Sequence, residues 1–137
     1  MNGKLKISKS GITDAQIKLQ HNELHDRIAS INNAIHNHLP HEQLVNLALQ
    51  TQQNLETHFA TEEALMVDIK YPKSRLLQHK ASHLEALHQL SNLVSYLSLN
   101  NIPSRKVFEF LFDWSYVHEL NEDKELFMFL KKSRMSL

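Results

Sequence analysis

At 137 residues the chain is long enough to bury its own core and short enough to form one domain over residues 1–137. Its 15 basic and 15 acidic residues balance, so it has no charge footprint for nucleic acid or an anionic membrane, and no apolar run approaches a membrane span. The absence of cysteine removes disulfides, thiolate metal sites and cysteine nucleophiles, and Met1-Asn2-Gly3-Lys4 lacks a signal-peptide core, so the expected location is cytoplasmic.

Glycine occurs only at positions 3 and 11, and the three prolines at 40, 72 and 103 cut the chain into segments of similar length. Proline ends helices and is excluded from their interiors, so this spacing predicts four helices. The first opens at Thr13, whose spacing to Gln16 resembles a capping box, and runs over about residues 13–39. The second covers about 41–67, and the stretch around Tyr71-Pro72 is a loop. The third covers about 74–99, with Asn100 to Pro103 breaking it, and the fourth about 104–131. No alternating β-branched run suggests a strand. Four rods of roughly 35–40 Å with short links give an all-α, up-down-up-down antiparallel four-helix bundle.

Alternating steps of three and four trace the side chains that face the interior. In the first helix they are Ile17, His21, Leu24, Ile28, Ile31 and Ile35. The second presents Ala48, Thr51, Leu55, His58, Glu62 and Leu65; the third presents His79, His83, Ala86, Leu90, Leu93 and Leu97. The fourth presents Val107, Leu111, Trp114 and His118, after which a polar run blurs its phase. Each helix thus sets a histidine on its apolar line. In an antiparallel arrangement the six positions meet at one end. Polar groups gathered in an apolar interior are costly unless something satisfies them, and a metal ion does.

Each piece has a plainer reading alone. A single core histidine such as His21 is more often hydrogen-bonded than ligating, and the His79/His83 pair could be chance. The i, i+4 pair His58/Glu62 could be a salt-bridged surface face. Their coincidence on four facing lines favours metal. His25, His36, His38, His41 and His88 fall off these lines and are expected on the surface. Ferritin-like di-iron oxidases need two Glu-x-x-His motifs and four inward glutamates, whereas this chain has only Glu85 to His88. A regular helix puts Glu122 about 40° from His118 and Asp123 about 140° away, which favours Glu122 as the last ligand unless a widened turn intervenes.

The set Gln20-His21 with Leu24, His58-Phe59-Ala60-Thr61-Glu62-Glu63 with Met66, Tyr71-Pro72, His79-Lys80-Ala81-Ser82-His83, and Trp114 with His118 and Asp123 resembles the hemerythrins, especially the bacterial ones. The resemblance implies a non-haem centre of two irons joined by an oxo or hydroxo bridge. His79, His83 and His118 would hold one iron, and His21 and His58 the other, with its remaining position open to dioxygen or small anions. Glu62 and Asp123 would bridge the pair, so the family pattern selects Asp123 where helix geometry selects Glu122. The implied function is reversible dioxygen binding for storage, delivery or sensing, not enzymatic turnover. A signalling output domain would be a partner if this is a sensor module. The rival readings are a di-iron enzyme acting on peroxide or nitric oxide and a metal-free helical interaction module. Leu24, Leu55, Phe59 and Trp114 are candidates for an apolar shell around the irons. The chain departs from the bacterial pattern in Lys18, where an aspartate is usual, in having Trp114 as its lone tryptophan, and in a longer stretch between Tyr71-Pro72 and His79.

Overall fold

The computed structural model describes residues 12–135. These are helical throughout apart from short turns, with no strand among the described residues: α1 is Asp14–His36, α2 His41–Asp68, α3 Lys73–Ser98 and α4 Ser104–His118. A single π-helical turn, Glu119–Asp123, joins α4 without interruption to α5, Lys124–Met135, so α4 and α5 form one continuous rod. α1 packs on α2, α2 on α3, α3 on α4, and α4 back on α1, which closes a ring of helices. No described helix is long and apolar enough to cross a membrane.

The expected start of α1 is present in atomic detail. Gln16 N–H donates to the Thr13 hydroxyl at 3.2 Å and Thr13 N–H to the Gln16 side chain at 2.8 Å, satisfying two otherwise orphaned donors. Its end falls earlier than residue 39. His38 adopts φ 54°, as do Lys70 and Asn100 at φ 56° and 61°, and each closes its helix in the same way. Leu39 N–H reaches Ala34 C=O at 3.0 Å and His38 N–H reaches Ile35 C=O at 3.1 Å; the turns at Lys70 and Asn100 repeat the pattern. These are Schellman closures made without glycine, with a proline two or three residues on to prevent the helix from resuming.

Apolar stripes from all four helices meet in one long core that includes Leu24, Ile28, Leu55, Leu90, Val107 and Leu111. Two small clusters, Ile17 with Leu65 and Leu130 and Met66 with Tyr71 and Leu126, fill the other end. The expected phases hold with small slips. Val94 is buried and Leu93 only partly so, Ala34 is buried and Ile35 partly so, and Ser115 is buried beside a half-exposed Trp114. Between the long core and the end clusters every helix carries its polar interruption at the same level.

Candidate metal centre

α1 places His21 between Ile17 and Leu24, and α2 places His58 and Glu62 between Leu55 and Leu65. α3 contributes His79 and His83 one turn apart, and His118 closes α4. Each sits on the core line because its apolar neighbours at three or four residues are driven inside. All but His21 are at most 4 % exposed, so this polar group is held where water cannot satisfy it. Asp123 arrives by a different device. On a regular helix it would point away from His118, but the π turn of Glu119–Asp123 inserts the extra residue that swings i+5 onto the inner face, where Asp123 is 2 % exposed.

The seven side chains form two donor groups that share both carboxylates. Glu62, His79, His83, His118 and Asp123 present ligand atoms all within 4.8 Å of one another, and so do His21, His58, Glu62 and Asp123. Asp123 spans the two groups, with Oδ1 2.9 Å from His118 Nε2 and 3.1 Å from His79 Nε2, and Oδ2 3.1 Å from His21 Nε2. Glu62 spans them as well, with Oε2 3.2 Å from His58 Nε2 and Oε1 3.1 Å from His83 Nε2.

Hydrogen bonding alone does not account for this geometry. His118 Nε2 lies 3.1 Å from His79 Nε2 and 3.2 Å from His83 Nε2, three imidazole nitrogens aimed at one point. His58 Nε2 and Glu62 Oε1 are buried without a hydrogen-bond partner in spite of their short ionic contacts, a penalty of about 1–3 kcal/mol for each such group. Donor atoms roughly 3 Å apart are the spacing of adjacent ligands around an ion bound at about 2.1 Å. The residues fit metal.

The outward-facing nitrogens of His58, His83 and His118 are held by neighbouring side chains. His58 Nδ1 pairs with Gln20 Oε1 at 3.1 Å, and the Gln20 amide is fixed in turn by donating to Thr61 at 3.2 Å. His83 Nδ1 pairs with Glu63 at 2.9 Å. Glu122, the geometric rival for the last ligand, pairs at 2.8 Å with His118 Nδ1 and accepts from Ser82 at 2.6 Å, so it grips the back of the imidazole. A donor Nδ1–H fixed this way leaves the Nε2 lone pair facing inward. The sequence signal for Gln20 and Glu63 was their place beside His21 and Glu62 in the segments that carry the family likeness, which gave neither a role. His25, His36, His38, His41 and His88 are exposed, as expected.

Aromatic rings pack against the group from both the long core and the end cluster. Phe59 stacks on His83 with centroids 3.8 Å apart, and Trp114 stacks on His118 at 4.4 Å. Phe127 meets His21 edge-on at 5.8 Å. Leu24 and Leu55 belong to the long core that flanks the group, and Leu24 lies beside His21 and His58.

Burial alone would lower the His21 imidazole, but hydrogen bonds to Asp123 and Glu62 outweigh it and push it up to about 10. His79 is likewise lowered by burial and carried by Asp123 and Glu62 up to about 9. Burial opposes ionisation of Glu62 and Asp123, yet the surrounding imidazoles hold both carboxyls well below their ordinary range.

Comparison with curated proteins and with solved structures returns no match. The family model described as hemerythrin HHE cation binding domain matches residues 13–130, which takes in α1 to α4, the π turn, the first part of α5 and all seven donors. The chain belongs to the hemerythrin family.

Proposed function

We propose that the chain is an up-down-up-down antiparallel four-helix bundle that holds two irons and uses them to bind dioxygen reversibly, for storage, delivery or sensing. The ring of neighbouring helices and the short closing turns support the bundle. The observation that carries the function is the asymmetry of the two donor groups around shared Glu62 and Asp123. One has three imidazoles, His79, His83 and His118, and the other has two, His21 and His58. The poorer group is the one with room for an outside ligand.

Such an iron pair supplies two electrons to dioxygen and recovers them on release. The chain's own part is to fix and to exclude. Gln20, Glu63 and Glu122 hold three imidazoles in the ligating tautomer, and Glu62 and Asp123 offset part of the positive charge of two cations. Leu24, Phe59 and Trp114 line the space beside His21 and His58 with side chains that offer little to water or competing anions.

Protein expressed in iron-replete medium is expected to carry two irons per chain, with an optical spectrum that changes when the reduced protein meets air and reverts when dioxygen is removed. His58→Ala should lose at least one iron, whereas His38→Ala and His88→Ala, both exposed, should keep two. One zinc per chain, or no metal, would sink the reading. Sustained consumption of peroxide or nitric oxide would move the protein to the enzymes.

A further inference from the structure

Two spaces lie between α1 and the α4 rod. The outer is a largely apolar groove of about 300 Å³ walled by Ile28, Ala29, Phe108 and Phe112. The inner is much tighter; it abuts His21, His58 and Asp123 and is backed by Leu24, Phe59 and Trp114. Ser115 and Glu119 line both, so they form the partition. No water-sized sphere fits in the inner space, so side chains must move before a diatomic molecule can enter.

Glu119 is the ionisable residue of the inner space that belongs to neither donor group. It opens the π turn, and its carboxylate is tied across the groove to His25 Nε2 at 2.5 Å. We propose that the α1–α4 groove is the route by which a diatomic ligand reaches the candidate metal centre, and that the His25–Glu119 pair is the latch across it. The proposal rests on the di-iron reading for its purpose, but not for its geometry. His25 is 51 % exposed and Glu119 25 %, and an exposed pair of this kind is weak. The latch therefore opens often and slows passage rather than blocking it. A shallower depression reaches the cluster past Phe127 and Lys131 and is the rival route.

Trp114, the lone tryptophan, lines the inner space and reports on access without any metal. In metal-free protein, His25→Ala should raise the rate constant for quenching of Trp114 fluorescence by dissolved dioxygen about two- to fivefold, the worth of an exposed pair. Glu119→Ala should do the same and the double variant no more, because one latch opens once. Ala29→Phe, which plugs the groove from an exposed position, should lower it. Acrylamide, too bulky for the inner space, should quench all variants alike. In iron-loaded protein, azide association and dissociation should both quicken in His25→Ala with Kd unchanged. Unaltered dioxygen quenching in His25→Ala or in Ala29→Phe overturns the latch. So does a parallel rise with acrylamide, which would mean that Trp114 had lost its packing. The expected quenching in a chain that takes up no iron would overturn the di-iron function and keep the route. Two irons without the quenching pattern would overturn the latch alone.

Discussion

Asp123→Asn is expected to leave the protein unable to retain two irons, while Glu122→Gln keeps both. The two residues are adjacent and acidic, and only their place relative to the π turn separates them. Asp123 touches His79, His118 and His21 from its two oxygens, so it is common to both donor groups. Asparagine keeps the shape and loses the charge, and its amide nitrogen cannot take the place of the second ligating oxygen. Glu122 meets only the outer nitrogen of His118 and the Ser82 hydroxyl, and glutamine retains an oxygen to accept from that nitrogen. Loss of such a supporting contact typically costs about 10- to 100-fold in metal affinity, so the loss from Asp123→Asn, which removes a direct ligand, should exceed that. Iron content after gel filtration and the spectrum of the oxygenated protein are the measurements. If Glu122→Gln lost iron while Asp123→Asn kept it, the bridge would pass to Glu122 and the π turn would lose its purpose.

The same pair marks where the sequence stopped being informative. Helix number and position were legible because prolines, scarce glycines and a capping box punctuate the chain. The end of α1 was not, because a left-handed closure at His38 has no glycine to announce it. Core lines traced in alternating threes and fours drift against 3.6 residues per turn, which explains Val94 for Leu93 and Ala34 for Ile35. His21, His58, Glu62, His79, His83 and His118 stood out as polar breaks in apolar lines, and the structure brings all six together. Asp123 could be placed only by family likeness, since a regular helix points it elsewhere and nothing in Glu119-Leu120-Asn121-Glu122 announces a π turn. Gln20, Glu63 and Glu119 act across helix boundaries, and a periodicity read along one helix at a time cannot register such contacts.

Metal-free and iron-loaded protein are expected to answer pH differently, the first weakening as pH rises above neutrality and the second holding level. In the metal-free chain the Glu62 and Asp123 carboxylates favour the protonated forms of His21, His79 and His118. Burial works against the charge on His21, but Asp123 and Glu62 prevail and lift it from 6.5 to about 10; His79 rises in the same way to about 9. His118 is also raised, Asp123 overcoming burial. A raised imidazole contributes its stability in full below the unfolded value and loses it as pH climbs through the folded one. The metal-free fold should therefore weaken steadily from about pH 6.5 towards 10. Glu62 and Asp123 act from the acid side. Their folded values lie below the ordinary 4.5 and 3.8, so their contribution is complete above those values and fades as pH falls beneath them. The metal-free melting temperature should thus peak between about pH 4.5 and 6.5. Iron cancels the trend, because ligating imidazoles must be unprotonated and each ion bound expels their protons, so above about pH 6.5 neither the loaded fold nor the unfolded chain holds them. Uptake should tighten as pH rises towards about 10, because His79 sheds its proton without help only near 9 and His21 only near 10. Melting curves with a chelator and with saturating ferrous iron under anaerobic conditions, taken across this range, should show a gap that widens with pH. A metal-free melting temperature that held level from pH 6.5 to 10 would mean that the buried imidazoles are neutral in the absence of metal. Iron uptake indifferent to pH would mean that His21 and His79 carry no protons for the metal to displace.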